Sequence, residues 1–300
     1  MIFLVISSGT GFFAACLIAD GKVMSYKVKN EVISIFPKDV IDDALSEAVI
    51  NAGDIDYVVF LGKPFSYFER LISLHIFFFP NCFLNFIYDI RDFFIEKIRI
   101  KTLIKEKLGY AKDICFLNTM DAVADEISRG FLTNNGLVII SLGDSIDLRT
   151  LGCYKKENKD VMLIRELTYP NSISMLYRLS SQDKNAKLIE AKDLLKLYDD
   201  GSFVLRKNFF QYNRGVIALK KEFRVEKKEC IFCFEEILDR MIISTNMSSD
   251  EKVLFVSDYP VDLEVCERLR TRFRNLEFMF LNKMEIIGYA VKYTARQVKS

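Results

Sequence analysis

Residues 2–28, IFLVISSGTGFFAACLIADGKVMSYKV, decide the architecture of this chain. Ile2 to Ile6 is an unbroken apolar run, the pattern of a strand buried on both faces. A turn of Ser7, Ser8, Gly9, Thr10 and Gly11 follows, and then a second apolar run, FFAACLIA. Asp20-Gly21 is a tight-turn dipeptide, and KVMSYKV after it alternates as a half-exposed strand does. Further on, residues 37–53 (PKDVIDDALSEAVINAG) have helical spacing and end at Gly53. Residues 56–62 (DYVVFLG) form the next buried strand. The first sixty residues thus read β-β-β-α-β. An antiparallel meander crosses through a helix to a parallel strand, which makes an α/β protein with a mixed sheet.

Outward from that segment, residues 65–107 read as helical. Residues 71–90 are the most apolar part of the chain, but Pro80, Asn81, Asn85 and Asp89 interrupt them. That favours a buried or groove-forming helix pair over a membrane span. ICFLN (114–118) reads as a short strand, MDAVADEISRGFLT as a helix, and NGLVIISLGD as a strong strand. DLRTLGCYKK and DVMLIRELTY read as its partners across KENK. SISMLYRLSS reads as a helix, AKLIEAKDLLKLYDDG as a helix ended by Gly201, and GSFVLRKNFFQYN as a strand with a turn. The tail reads as a long helix near 218–244, a strand KVLFVSD, a helix PVDLEVCERLRTRF and a strand EFMFLN. That tail is one half of a second α/β lobe. No internal repeat or low-complexity linker is visible.

Composition narrows the chemistry. The 300 residues are 50% hydrophobic and 28% charged, with a net charge of +1. This balance gives no basic face for nucleic acid. His75 is the only histidine, which removes most histidine-based catalysis and metal sites. It lies among apolar residues and reads as a core histidine. The cysteines, seven in number, sit largely in apolar runs and read as reduced, buried thiols of a cytoplasmic protein. Cys230 and Cys233 form a lone C-x-x-C on a helical pattern, with no second pair to complete a zinc site. The N-terminus lacks the basic flank of a signal peptide. No Walker A loop, G-x-S-x-G elbow or H-E-x-x-H is present.

Four further stretches carry a resemblance. DIDYVVFLGKPFSYFERLI places Lys63, Pro64, Phe68, Glu69 and Arg70 where the O-carbamoyltransferase family has a Lys-Pro step and a Phe-Glu-Arg helix. IADGKV is similar to that family's hairpin. ELTYPNSISMLYRL, through Pro170, Ser172, Leu176 and Tyr177, resembles its helix entry. DGSFVLRKNFF, Asp200 to Phe210, resembles its DGSF hairpin. The matches run in family order from about residue 2 to residue 215. The resemblance is to the nodulation and antibiotic-biosynthesis type, with a Kae1-like N-terminal domain. It implies an actin-like ATPase fold (ASKHA, ribonuclease H-like) of two lobes with mixed sheets. It divides the chain into a Kae1-like region, 1–215, and a partial second lobe, 216–300.

The resemblance also implies an activity and its loss. Family members transfer a carbamoyl group from carbamoyl-adenylate to a hydroxyl, using a metal held by helical histidines. Here the matching run is Asn118 to Asp125, NTMDAVAD, and the histidine positions hold Thr119, Met120 and Val123. None of the three can replace an imidazole ligand, so no metal is expected there, and the space is expected to be drier and more apolar. Asp121 remains as a candidate acid, and Asp144, near Asp147 at the end of the LVIIS strand, as its partner. Ser8, Gly9, Thr10 and Gly11 resemble the first phosphate loop of actin-like ATPases, whose amides cradle phosphate. The family's glycine-rich loop becomes KNAKLIEAK, in which Lys187 and Leu188 match and the glycines do not. The later Gly-Gly becomes Ser257-Asp258.

These features imply a nucleotide-binding pseudoenzyme: a binding or regulatory subunit whose ligand would be ATP or carbamoyl-adenylate. Its expected partner is a full-length carbamoyltransferase or an adenylate-forming domain, the part that family members carry beyond the matched region. Neither nucleic acid nor membrane is expected as a partner. An active O-carbamoyltransferase built on Asp121, Asp144 and Lys187, working with a separate adenylate-forming chain, is the alternative. A small-molecule sensor with a closed cleft is a third reading.

Overall fold

The computed structural model describes residues 1–300 apart from 10–11, 31–37, 81, 93, 95–98, 111, 133–134, 143–148, 169, 173–185, 214–215, 248–249, 260 and 300. The opening segment folds as its pattern predicts. Strands β1 (Ile2–Gly9), β2 (Phe12–Ala19) and β3 (Lys22–Asn30) form an antiparallel meander. Asp20 and Gly21 both take positive φ in the second turn. Helix α1 (Lys38–Ala48) then crosses to β4 (Tyr57–Leu61), parallel to β1. Helices α2 (Pro64–Phe78), α3 (Phe83–Asp92) and α4 (Ile100–Leu108) lead to β5 (Ile114–Leu117), parallel to β4. The strand order is β3-β2-β1-β4-β5. Helix α5 (Thr119–Phe131) follows, with the Asn118 side chain accepting the Asp121 N–H at its start.

The same order is then built again. Strands β6 (Gly136–Ser141), β7 (Arg149–Glu157) and β8 (Asp160–Thr168) make the second meander. A run of short strands follows: β9 (Lys187–Leu188), β10 (Leu195–Leu197), β11 (Phe203–Leu205), β12 (Phe210–Asn213), β13 (Val216–Leu219) and β14 (Phe223–Arg224). Helix α6 (Lys227–Ser244) leads to β15 (Lys252–Ser257), α7 (Leu263–Arg272) to β16 (Leu276–Phe280), and α8 (Lys283–Lys299) ends the chain. Sheet order is β16-β15-β6-β7-β8, with β15 parallel to both β6 and β16. Two mixed five-stranded sheets of one topology, each finished by a helix, are the actin-like arrangement the resemblance implies.

Period-two alternation decides which residue faces which layer. On β1 and β4, Leu4, Ile6, Val58 and Phe60 face outward onto α1 and α4. Phe3, Val5, Val59 and Leu61 face inward, onto α5. In the second sheet, Val138, Ile140, Leu254 and Val256 face the same inner layer. Leu137, Ile139, Val253 and Phe255 face α6 and α7. Helices α5 and α8 are therefore sandwiched between the sheets, where Met120, Val123, Ala124 and Ile127 meet Ile287, Ala290 and Val291. Each fully buried large aliphatic side chain contributes roughly 1.5–3 kcal/mol. Arg296 of α8 bridges to Asp125 and Glu126 of α5. Lys156 of β7 is buried and donates to the Ser128 carbonyl (2.9 Å) and to that of Leu132, satisfying the last turn of α5.

The structure corrects two readings of the sequence. Residues 186–201 are not one helix but β9, a single helical turn (Ala191–Leu194) and β10. Adjacent Leu194 and Leu195 are both buried, and pairing with β11 and β14 supplies the backbone hydrogen bonds. The long helix begins at Lys227 rather than near 218, because β13 and β14 take up the preceding residues. The predicted helix SISMLYRLSS lies mostly outside the described residues, as does the side chain of Tyr177. The division drawn after residue 215 falls between Phe210 and Ile217, which share one core. Strands β6–β8 belong to the second sheet. Among the described residues no helix is long and apolar enough to cross a membrane.

Candidate functional site

In open α/β sheets, ligands bind at the C-terminal ends of the parallel strands, where the strand order switches direction. Each sheet here has one such place, between β1 and β4 and between β6 and β15. At the first, Ser8 and Gly9 end β1, paired with Phe13 and Phe12, while Thr10 and Gly11 lie outside the described residues. Beside them Gly62 has φ +106°, its N–H donating to the Leu117 carbonyl at 2.8 Å, and exposed Lys63 precedes α2. Asp144 and Asp147 also lie outside the described residues. Lys187 is exposed on β9, pairing through its backbone with Phe223 of β14.

Asp121 sits in the first turn of α5, where a carboxylate is favoured by the helix dipole. One of its oxygens accepts a hydrogen bond from the Tyr154 hydroxyl of β7 at 2.7 Å. That contact ties the first turn of α5 to the second sheet, and Tyr154 itself is buried. The positions that would carry metal-binding histidines are closed. Met120 and Val123 have no exposed surface and belong to the core between the sheets, and Thr119 is buried beside them. A thioether and an isopropyl group in an apolar layer do not fit a cation that needs nitrogen or oxygen donors. Among the described residues, no three of His, Cys, Asp and Glu gather closely enough to hold a metal ion.

The end of the second sheet holds a residue that sequence reasoning passed over. Just beyond β15, Tyr259 is buried, and its hydroxyl donates to the Ser141 hydroxyl at the end of β6, at 3.1 Å. Ser257 donates to the Tyr259 carbonyl at 2.6 Å, which fixes the turn. The phenol ring packs with Leu137, Ile139, Val253 and Phe255 in the core beneath α6 and α7, so its hydroxyl closes the end of that core against paired Ser141 and Ser257. The available signal was an aromatic side chain two residues after the strand.

The C-x-x-C lies on α6 as its pattern predicts, with both thiols in the core of the second lobe. Burial pushes Cys230 up to about 11 and Cys233 to about 12, and does the same for Cys16 (about 11) and Cys153 (about 12). Such thiols stay protonated and unreactive near neutrality. At about pH 8 an aromatic disulfide reagent should titrate at most half-buried Cys115 within minutes, and all seven thiols once guanidinium unfolds the chain. Rapid native labelling of Cys230 or Cys233, read by peptide mass mapping, would contradict this burial.

A separate polar cluster joins the two lobes. His75 of α2 is buried, its Nε2 lying 3.0 Å from a carboxylate oxygen of Asp89 on α3. A carboxylate only accepts, so Nε2 carries the proton. The Tyr212 hydroxyl of β12 donates to the same oxygen. Tyr212 and Phe86 flank the imidazole at 5.1 and 4.9 Å between ring centroids. Among the described residues Nδ1 has no hydrogen-bond partner, and Cys82 donates to the His75 carbonyl at 3.3 Å. His75 is thus a core histidine, as expected from sequence, and it anchors the end of α2. Leu74, Phe78 and Cys82 there enter the core of the second lobe.

No family model matches the chain. It is 24% identical over 243 residues to the uncharacterized protein sll1178 of Synechocystis, covering 70% of this chain and 39% of that protein. The chain spans about two fifths of the length of this curated relative. Among solved structures it is similar to the ROK hexokinase of Thermus thermophilus, with TM-score 0.49 and 12% identity over 100% of this chain and 99% of that one. Component A of the Acidaminococcus fermentans (R)-2-hydroxyglutaryl-CoA dehydratase gives 0.48 and 9% over 99% of both chains. The ethanolamine utilization protein EutJ of Carboxydothermus hydrogenoformans gives 0.43 and 10% over 97% and 89%. Its own strand order and register make the chain an α/β protein of the actin-like ATPase fold, with two mixed sheets.

Proposed function

We propose that this chain is a carbamoyltransferase-like protein that binds rather than transfers, serving as a regulatory or binding subunit. The observation that supports this most is the complete burial of Met120 and Val123 in the apolar layer between the sheets. A hydrolytic or transfer metal at this helix would need donors and an open coordination position, and these side chains supply neither. The expected partner is the adenylate-forming half of the reaction, on a separate chain or in a full-length transferase.

The test is a carbamoyl-transfer assay on the purified chain, with carbamoyl phosphate, ATP and a panel of hydroxyl acceptors. No turnover above buffer is expected. Calorimetric titration with a non-hydrolysable ATP analogue should give weak binding, with a dissociation constant of about 0.1 mM or above. Turnover by the native chain would overturn the reading.

One observation favours the enzyme alternative. Asp121 is held in place by Tyr154 at the start of α5, as a positioned acid or metal ligand would be. Metal analysis separates the two readings. A stoichiometric metal lost in Asp121→Ala or Asp144→Ala would bring the enzyme reading forward.

A further inference from the structure

The second lobe has a concave place at the end where its parallel strands begin. A cleft of about 650 Å³ opens there between the end of α6, the loop into β15 and the turn from α7 into β16. Ile242, Ile243, Met247, Val253 and Phe273 make its apolar walls. Ile242 and Val253 are buried, and Met247 and Phe273 pack on the core of the second lobe, whereas Ile243 is 54% exposed. The volume falls in the range of small-molecule sites, about 300–1,000 Å³. The surrounding backbone is tied down. Asn246 has φ +51° and its N–H donates to the Ile243 carbonyl at 3.2 Å, while the Val253 N–H donates to the Asn275 carbonyl at 3.0 Å. The cleft is therefore formed before any ligand arrives, as such sites usually are.

Charge decides what the cleft can take. Three charged side chains line it: Glu251, Arg272 and Arg274. Arg272 is neutralised by Asp239 of α6, Nε to Oδ1 2.9 Å, and its guanidinium lies 5.8 Å from the centre of the Phe273 ring. Glu251 is within electrostatic reach of Lys155 on β7. Arg274 is exposed and makes no ion pair among the described residues. We propose that this cleft binds a small amphiphilic monocarboxylate, its carboxylate on the Arg274 guanidinium and its hydrocarbon body against Ile243, Met247 and Phe273. The planar guanidinium fork matches the two oxygens of a carboxylate. One uncompensated cation balances a monoanion. A dianion such as a phosphate monoester would keep a surplus charge beside Glu251, and an ammonium would meet Arg274 with like charge. The switch point between β6 and β15 lies at the other end of the sheet. The six residues of β15 separate the two places by roughly 17–20 Å, so a ligand here does not compete for that point.

Calorimetric titration of the native chain with sodium octanoate should show one site, with a dissociation constant of about 1 mM or tighter. Octylammonium should not bind, and octyl phosphate should bind no more tightly than octanoate. Arg274→Ala removes the cation and Ile243→Glu sets a carboxylate in the wall. Each should weaken octanoate binding by about tenfold or more. Both side chains are exposed, so the variants should keep the circular dichroism spectrum of the native chain. Lys101→Ala, which removes an exposed positive charge on α4, should leave the affinity unchanged. A non-hydrolysable ATP analogue should not displace octanoate. No binding of octanoate at about 10 mM overturns the proposal. So does binding that survives both substitutions, since the ligand then sits elsewhere, and so does displacement by the ATP analogue. Octyl phosphate binding about tenfold more tightly than octanoate would overturn the assignment to a monocarboxylate.

Discussion

Gly201→Ala should cost the protein about 3 kcal/mol or more. Gly201 has φ +80°, in the region where a Cβ costs roughly 1–2 kcal/mol by itself. The added carbon would also stand 2.7 Å from the Ile237 carbonyl oxygen and 2.7 Å from the Met241 amide nitrogen of α6. Backbone atoms of a packed helix cannot step aside as a side chain can, and overpacking adds about 1–3 kcal/mol. The turn is otherwise tightly specified. Asp200 accepts from the Ser202 N–H and hydroxyl, and its own carbonyl accepts from Arg165 at 2.6 Å. Gly21→Ala is the control: φ is +78° there, but nothing lies within 4 Å. Urea unfolding should show a much larger fall in midpoint for Gly201→Ala. Equal losses at the two sites would mean that the α6 contact is not as tight as described.

Asp89→Ala is the second large effect. The carboxylate serves two donors, buried His75 Nε2 and the half-buried Tyr212 hydroxyl, and its removal takes this acceptor from both in the seam between α2–α3 and β12. Loss of the acceptor of a buried donor costs about 1–3 kcal/mol, so a loss of about 2 kcal/mol is expected. Asp89→Asn keeps one carbonyl acceptor and should cost less. The loss should also be local. Amides of β12 and β13 should exchange faster in Asp89→Ala, while those of β1 and β4 keep their protection. A double-mutant cycle with Tyr212→Phe would isolate the shared term. Additive effects in that cycle would mean that the cluster is no unit.

The first lobe was legible because its strands announce themselves. Ile2 to Ile6 and residues 57–61 are continuous apolar runs, and Asp20-Gly21 is a turn by chemistry alone. The topological repeat was not legible. β1 (IFLVISSG) and β6 (GLVIIS) share only apolar character, and the second copy is split by the short strands between β8 and α6. The tail was read as half of a second lobe, but its other half, β6 to β8, was grouped with the first region. Helix α8 was left unassigned, although it forms half of the layer between the sheets. For the site, sequence could place Thr119, Met120 and Val123 on one helix. It could not show that Met120 and Val123 are sealed on both sides, because that depends on strands far apart in the chain. Tyr259 was missed for the same reason: its partner, Ser141, lies more than a hundred residues away.

The repeated topology also sets an order of assembly. All strands of the first sheet lie before residue 118, so it can close while the rest of the chain is still being synthesised. The second sheet cannot. β6 waits for β15 across residues 142–251, and its outer edge stays unpaired until that segment emerges. Long-range pairing of this kind is slow, and an open apolar strand edge invites pairing with other chains. The vulnerable species during biosynthesis is therefore a chain with one finished lobe and one open meander. A folding helper that shields β6 would be of most use in that interval.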